Sequence, residues 1–137
     1  MAVPFLACMV SAAAVFHLPP RVLPAIQATE GGRPGLVHVN TDRSMDLGVM
    51  QVNTRWVQPL ARQMGVAPGM AAQRLLQDGC FNVTVAGAIM RLYLNEARGN
   101  LLLAVGYYHS HTPLLAQAYE LRVLHSAARL FGAGRTR

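Results

Sequence analysis

Apolar residues recur at helical spacing along almost all of this 137-residue chain, and one polar stretch, residues 33–47, breaks that rhythm. The pattern restricts the fold to a single, mainly α domain over residues 1–137 with a small β insert. A first helix is expected over Pro4–Phe16, broken by Leu18-Pro19-Pro20. A second runs from Pro20, which suits a helix's first turn, to Glu30, where Gly31-Gly32 stops it. Pro24 falls in the early turns, where its missing N–H matters least. Inside the insert, Val37-His38-Val39-Asn40 alternates like a short strand, and Asn40-Thr41-Asp42-Arg43 fits a hairpin turn. A third helix is expected to begin near Gly48 and to run through Trp56 and Leu60, with punctuation at Gly65 and Pro68-Gly69. A short helix follows around Met70–Leu76. The stretch Cys80–Ala97, apolar on several faces, reads as the central buried helix. Gly99-Asn100 ends it. A further helix starts at Leu101 and breaks at His109–Pro113. The last spans Leu114–Leu130, before a frayed tail over 132–137.

With 53% hydrophobic residues the chain can bury a core without metals or multiple disulfides. Its twelve basic residues, all Arg, outnumber six acids for a formal charge of +6. A basic surface favours polyanions, either nucleic acid or an anionic cell-wall polymer. No basic run, interleaved aromatics or zinc-finger spacing supports nucleic acid, which is therefore not expected. Residues 4–16 are apolar like a signal sequence, but no Lys or Arg precedes Arg21, and the segment is too short to span a bilayer. It reads as a core helix, with no transmembrane segment. Cys8 and Cys80 do not have a CxxC spacing. They read either as two buried thiols or as one disulfide, which needs an oxidising compartment.

The chemistry concentrates around two of the six acids. Glu30 ends an apolar helix; Asp46 lies in the polar block Asn40-Thr41-Asp42-Arg43-Ser44-Met45-Asp46-Leu47-Gly48-Val49-Met50-Gln51-Val52-Asn53. Carboxyls in such contrasting surroundings take different protonation states, as glycosidic bond cleavage requires. Partial burial and the negative end of its helix would both hold a proton on Glu30. The alternative is a surface acid capping the helix. Asp46 reads either as an ionised carboxylate facing Glu30 or as a turn or N-cap residue before the helix expected at Gly48.

Three blocks in order resemble the lysozyme-like superfamily, specifically the soluble lytic transglycosylase type. Ala25-Ile26-Gln27-Ala28-Thr29-Glu30-Gly31-Gly32 is similar to the helix end that holds the family's catalytic acid. Asp46-Leu47-Gly48-Val49-Met50-Gln51-Val52-Asn53 is similar to its G-L-M-Q-I-N block, and Gly106-Tyr107-Tyr108-His109-Ser110-His111-Thr112 to its G-A-Y-N-S-G-T block. The resemblance spans Cys8 to about Val123. It is strongest to the small transglycosylases that accompany type IV secretion, conjugation and type III secretion machines. Asn-Thr-Asp-x-Ser-x-Asp before Gly48, with Gln-x-Asn-x-Arg-Trp after it, also resembles animal lysozymes. Three residues depart from the transglycosylase pattern: Gly31 replaces Ser, His109 replaces Asn and His111 replaces Gly.

The resemblance implies a compact bundle of about six or seven helices around a central buried one, with a β hairpin beside a cleft. It implies that Cys8 pairs with Cys80 of Asp78-Gly79-Cys80-Phe81-Asn82. It implies Glu30 as the acid, then the base, of a peptidoglycan lytic transglycosylase that opens the wall for a secretion apparatus. Ser44 would bond a substrate acetamido group or hold its loop. Met50 would floor the cleft or fill the core. Gln51 would orient a sugar and Asn53 brace the loop. Tyr108 would aim its hydroxyl at Glu30 or the scissile sugar, or sit half-buried with a wet tip. His109 and His111 would contact sugar or be plainly exposed, since no third metal ligand is evident. Trp56 would stack on a sugar or fill the core. Glycan strands and secretion components are the implied partners, without cofactor or metal, for a periplasmic monomer whose export signal is absent from this chain or removed, or which is exported by another route. The alternatives are a muramidase using Glu30 with Asp46, and a non-catalytic wall-binding accessory protein.

Overall fold

In the computed structural model, which describes residues 2–132, seven α-helices and a small three-stranded antiparallel sheet form a mainly α, lysozyme-like arrangement. Of the tail expected over 132–137, residues 133–137 lie outside the described residues. Helix α1 (Leu6–Phe16) packs along α5 (Gly79–Glu96), the long central helix. Cys8 and Cys80 bridge these two helices, as the resemblance implied. Helix α5 starts where Asp78 Oδ1 accepts from Phe81 N at 3.0 Å, and it buries residues on several faces, among them Val83, Val85, Gly87 and Ile89.

Helix α2 (Val22–Glu30) lies against α7 (Pro113–Ala127), which also packs along α6 (Leu101–His109). Pro113 occupies the first turn of α7, and Asn100 caps α6 by accepting from Leu103 N. After Ala127 the chain loosens into a π turn, Ala128–Gly132, so the last α-helix stops short of the Leu130 that periodicity suggested. Gly31 takes φ +66° and donates to Gln27 O at 2.7 Å, closing α2 one residue after Glu30. A Cβ at Gly32 would overlap the carbonyls of Gly48 and Val49, so only glycine lets the end of α2 approach the opposite loop this closely.

The sheet is formed by β1 (Val37–Val39), β2 (Met45–Leu47) and β3 (Val52–Asn53), with the hairpin turn at 40–44 as expected. Register places His38 opposite Asp46 and Asp46 opposite Asn53. The third helix does not begin near Gly48. Residues 48–51 form a turn, β3 and a 3₁₀ turn (Thr54–Trp56) follow, and α3 covers Val57–Met64. Two facts exclude a helix there. Gly48 and Gln51 both take positive φ, +74° and +54°. Asn82, fully buried on α5, claims the local backbone: it accepts from Met50 N at 2.8 Å and donates to Leu47 O at 2.8 Å. Helix α4 (Pro68–Gln77) completes the bundle, and Leu75 O accepts the third Asn82 bond at 2.9 Å.

Candidate active site

Between the sheet and the helices lies a cleft of about 720 Å³. Glu30, the last residue of α2, enters it from one wall; Asp46 on β2 enters it from the other. Gln51, Asn53, Trp56, Tyr108, His109, Arg55 and Arg122 also line it. Residues far apart in sequence, drawn from all three blocks, therefore line one cleft.

Burial raises the Glu30 pKa above the ordinary 4.5. Its strongest opponent is a hydrogen bond, because Tyr119 Oη of α7 donates to Glu30 Oε2 at 2.6 Å. The Asp46 carboxylate pushes the pKa up; Arg122 and His38 pull it down. The net result is a carboxyl that keeps its proton to higher pH than a solvated one. With Oε2 occupied by Tyr119, Oε1 is the oxygen left to exchange a proton.

Asp46 is not a helix cap, since no helix follows it. Its Oδ1 accepts from Asn53 Nδ2 at 2.9 Å, and its Oδ2 stands 3.7 Å from His38 Nδ1. Asn53 braces the loop in the expected way: it also reaches Ser44 Oγ at 3.0 Å and accepts from Arg55 N. The Ser44 hydroxyl donates to Asp42 Oδ1 and receives Asn40 Nδ2 as well, so its bonds are spent inside the hairpin. Gln51 Nε2 donates to Leu36 O and Gly48 O, which leaves its carbonyl oxygen as the group free to meet a ligand.

Met50 takes the core-filling option. Its side chain is 0% exposed and does not line the cleft, while its carbonyl accepts from Tyr108 Oη at 2.8 Å. Tyr108 thus spends its proton on the loop and not on Glu30. Burial, followed by the nearby Glu30 charge, holds its pKa well above 10. Trp56 lines the cleft and meets Tyr93 edge to face. The two histidines diverge: His109 stacks on Tyr119, whereas His111 bonds Glu96 at 2.9 Å and stacks on Tyr107. Among the described residues no three His, Cys, Asp or Glu side chains gather as a metal site.

Sequence reasoning missed Tyr119, Arg122 and Asn82. One signal for Tyr119 was available. A tyrosine on the apolar face of a helix needs an acceptor for its hydroxyl, and the chain offers few acids. Asn82 was legible only as part of the Asp78–Asn82 block; a polar residue in the first turn of an apolar helix that must be buried is a second-order sign of a hub. The paired contact between Thr29 and Ser126, Oγ to Oγ at 2.8 Å, ties α2 to α7 beside Glu30 and had no local signature.

Residues 7–119 match the family described as Transglycosylase SLT domain. The chain is 33% identical over 110 residues to the invasion protein IagB of Salmonella typhimurium, in strains SL1344 and LT2, and equally to that of Salmonella typhi. The matches cover 77% of this chain and 62% of each relative, so the chain spans less than two thirds of their length. On the extent of the family match and the identity to these relatives, the chain belongs to the transglycosylase SLT domain family.

Proposed function

We propose that the protein is a peptidoglycan lytic transglycosylase with Glu30 as its acid and then its base. The observation that carries this reading is the desolvated Glu30 carboxyl in the cleft, held through one oxygen by Tyr119. Glu30 donates its proton to the oxygen bridging MurNAc C1 and GlcNAc C4, and the C1–O bond breaks. The MurNAc C6 hydroxyl then attacks C1, and the Glu30 carboxylate takes the hydroxyl proton. The product is 1,6-anhydro-MurNAc; no water is consumed and Glu30 returns to its starting state. The substrate's N-acetyl group assists at C1, so a second carboxylate is not obligatory. Gln51 and Trp56 orient the strand, and Asn53 and Ser44 keep the hairpin in place. The activity acts outside the cytoplasm, in the periplasm, where the Cys8–Cys80 bridge persists. It opens the wall locally for a secretion apparatus.

Purified sacculi digested with the protein should release anhydro-muropeptides. Glu30→Gln should lower that release at least about a thousandfold. Lysis undiminished by this change would remove Glu30 from the mechanism. The presence of Asp46 in the same cleft, close enough to raise the Glu30 pKa, favours a second reading: hydrolysis with Asp46 as nucleophile or stabiliser. Asp46→Asn separates the two. Anhydro ends should persist in the variant; products consisting only of reducing ends in the wild type would make the protein a muramidase.

A further inference from the structure

Tyr119 does not hold Glu30 by itself. His109, the last residue of α6, lays its ring on the Tyr119 ring with 5.0 Å between centroids and 10° between planes. The Arg122 guanidinium stands 5.2 Å from the same ring, one turn further along α7. Tyr119 is 1% exposed, so the aim of its hydroxyl is fixed by whatever packs on its ring. We propose that His109 is a positioning residue that acts through Tyr119: its ring clamps the tyrosine so that the hydroxyl stays on Glu30 Oε2 and the acid keeps its orientation. The proposal rests on Glu30 being the acid, and it gives His109 a role other than sugar contact.

A tyrosine hydroxyl sits at the end of a long lever. A small rotation about the Cα–Cβ bond moves Oη out of the 2.6 Å contact, and hydrogen bonds weaken steeply when misaligned. A nearly parallel imidazole blocks that rotation from the cleft side, because His109 lines the cleft. Burial, with the Arg122 charge behind it, holds the His109 pKa below the ordinary 6.5, so the neutral ring stands beside Arg122 without repulsion. At this position the transglycosylase pattern that the third block resembles usually has Asn. An amide can hydrogen-bond a sugar but cannot cover a phenol ring. A phenyl ring can cover it but cannot hydrogen-bond a sugar.

That asymmetry defines the experiment. Cleavage of soluble, uncrosslinked glycan strands is measured for wild type, His109→Ala, His109→Phe and His109→Asn, each with and without Tyr119→Phe, counting all bonds cut as well as anhydro ends. His109→Ala should lower kcat about tenfold with KM within about twofold. Phe should restore most of the loss and Asn should not. On the Tyr119→Phe background, His109→Ala should cost less than about twofold, since the two changes break one contact. A loss confined to KM, rescue by Asn instead of Phe, or losses that multiply with Tyr119→Phe would overturn the clamp. Counting every cut bond keeps the two readings apart: reducing ends alone sink the transglycosylase assignment and leave the clamp comparison readable. Aromatic ¹³C NMR of Tyr119 reads the clamp without turnover. Its ring-flip rate should rise at least about tenfold in His109→Ala and stay near wild type in His109→Phe; an unchanged rate in His109→Ala also overturns the proposal.

Discussion

The sheet-side wall of the cleft, residues 37–53, and the helical wall of α2, α6 and α7 face each other but hold their side chains in different ways. On the sheet side the strands are only two or three residues long, and polar side chains do most of the fixing. Asn82 bonds the 47–50 turn twice and α4 once, Gln51 bonds Gly48 O and Leu36 O, and Ser44, Asn53 and Asp46 share one network. On the helical side the shape comes from burial of Leu23, Ile26, Ala104, Val105 and Val123, and two polar contacts, Tyr119 to Glu30 and Thr29 to Ser126, cross between the helices. A wall made of hydrogen bonds fails as a unit when its hub is lost. A wall made of packed apolar faces tolerates the loss of a single polar atom and changes chemistry instead of shape.

The largest expected effect tests the first half of that contrast. Asn82→Ala removes the side-chain partner of Met50 N–H, Leu47 O and Leu75 O in the core. It should destabilise the protein by about 3 kcal/mol in denaturant unfolding, and it should abolish cleavage although Asn82 does not line the cleft. A loss below about 1 kcal/mol would mean that Leu47, Val49, Met50 and Val52 hold the turn by burial alone, and the two walls would not differ in kind.

Tyr119→Phe tests the second half. The fold should survive, because the ring remains and only a hydroxyl is lost. Cleavage should fall about tenfold as Glu30 loses its fixed oxygen. The Tyr119 bond favours the charged carboxylate, whereas burial and Asp46 oppose it. Removing the bond therefore raises the Glu30 pKa further, and the alkaline limb of the pH–rate profile should move to higher pH. A limb that moves down would show that water entering the gap outweighs the lost bond.

The same contrast governs what the sequence could reveal. Helix after helix followed its apolar rhythm, and α5 and α6 fell within a residue or two of their expected bounds, because burial on one face is a local, periodic signal. The hairpin followed its turn residues. The error came at Gly48–Gln51, where an apolar run looked helical but Asn82, about thirty residues away, captures the backbone. Of the site, the three motif blocks marked both walls. Tyr119 stayed hidden because its partner lies 89 residues earlier and no local pattern joins them. Met50 shows the converse: motif position suggested a cleft residue, and packing put its side chain in the core.

The smallest effects are those on stability against pH, and they should have opposite signs on the two walls. Glu30 has a raised pKa, so between its ordinary 4.5 and its folded value the folded chain binds more protons than the unfolded one. Stability is then lost as pH rises through that window. Glu30→Gln should match wild type in acid, where both carry a neutral group, and melt a few degrees higher near neutrality. Asp42, on the hairpin, behaves in reverse. Side-chain and backbone bonds from Ser44 hold its pKa below 3.8, so its contribution is present above that value and is lost as pH falls through the lowered one. Asp42→Asn should therefore melt slightly lower near neutrality, with the deficit closing in strong acid; full exposure keeps that effect the smaller of the pair. Melting curves of both variants across pH check the signs together. If Glu30→Gln melted lower near neutrality, the carboxylate would be a stabilised, structural charge. The helical wall would then hold its acid as the hairpin holds Asp42, and a raised pKa could not explain its chemistry.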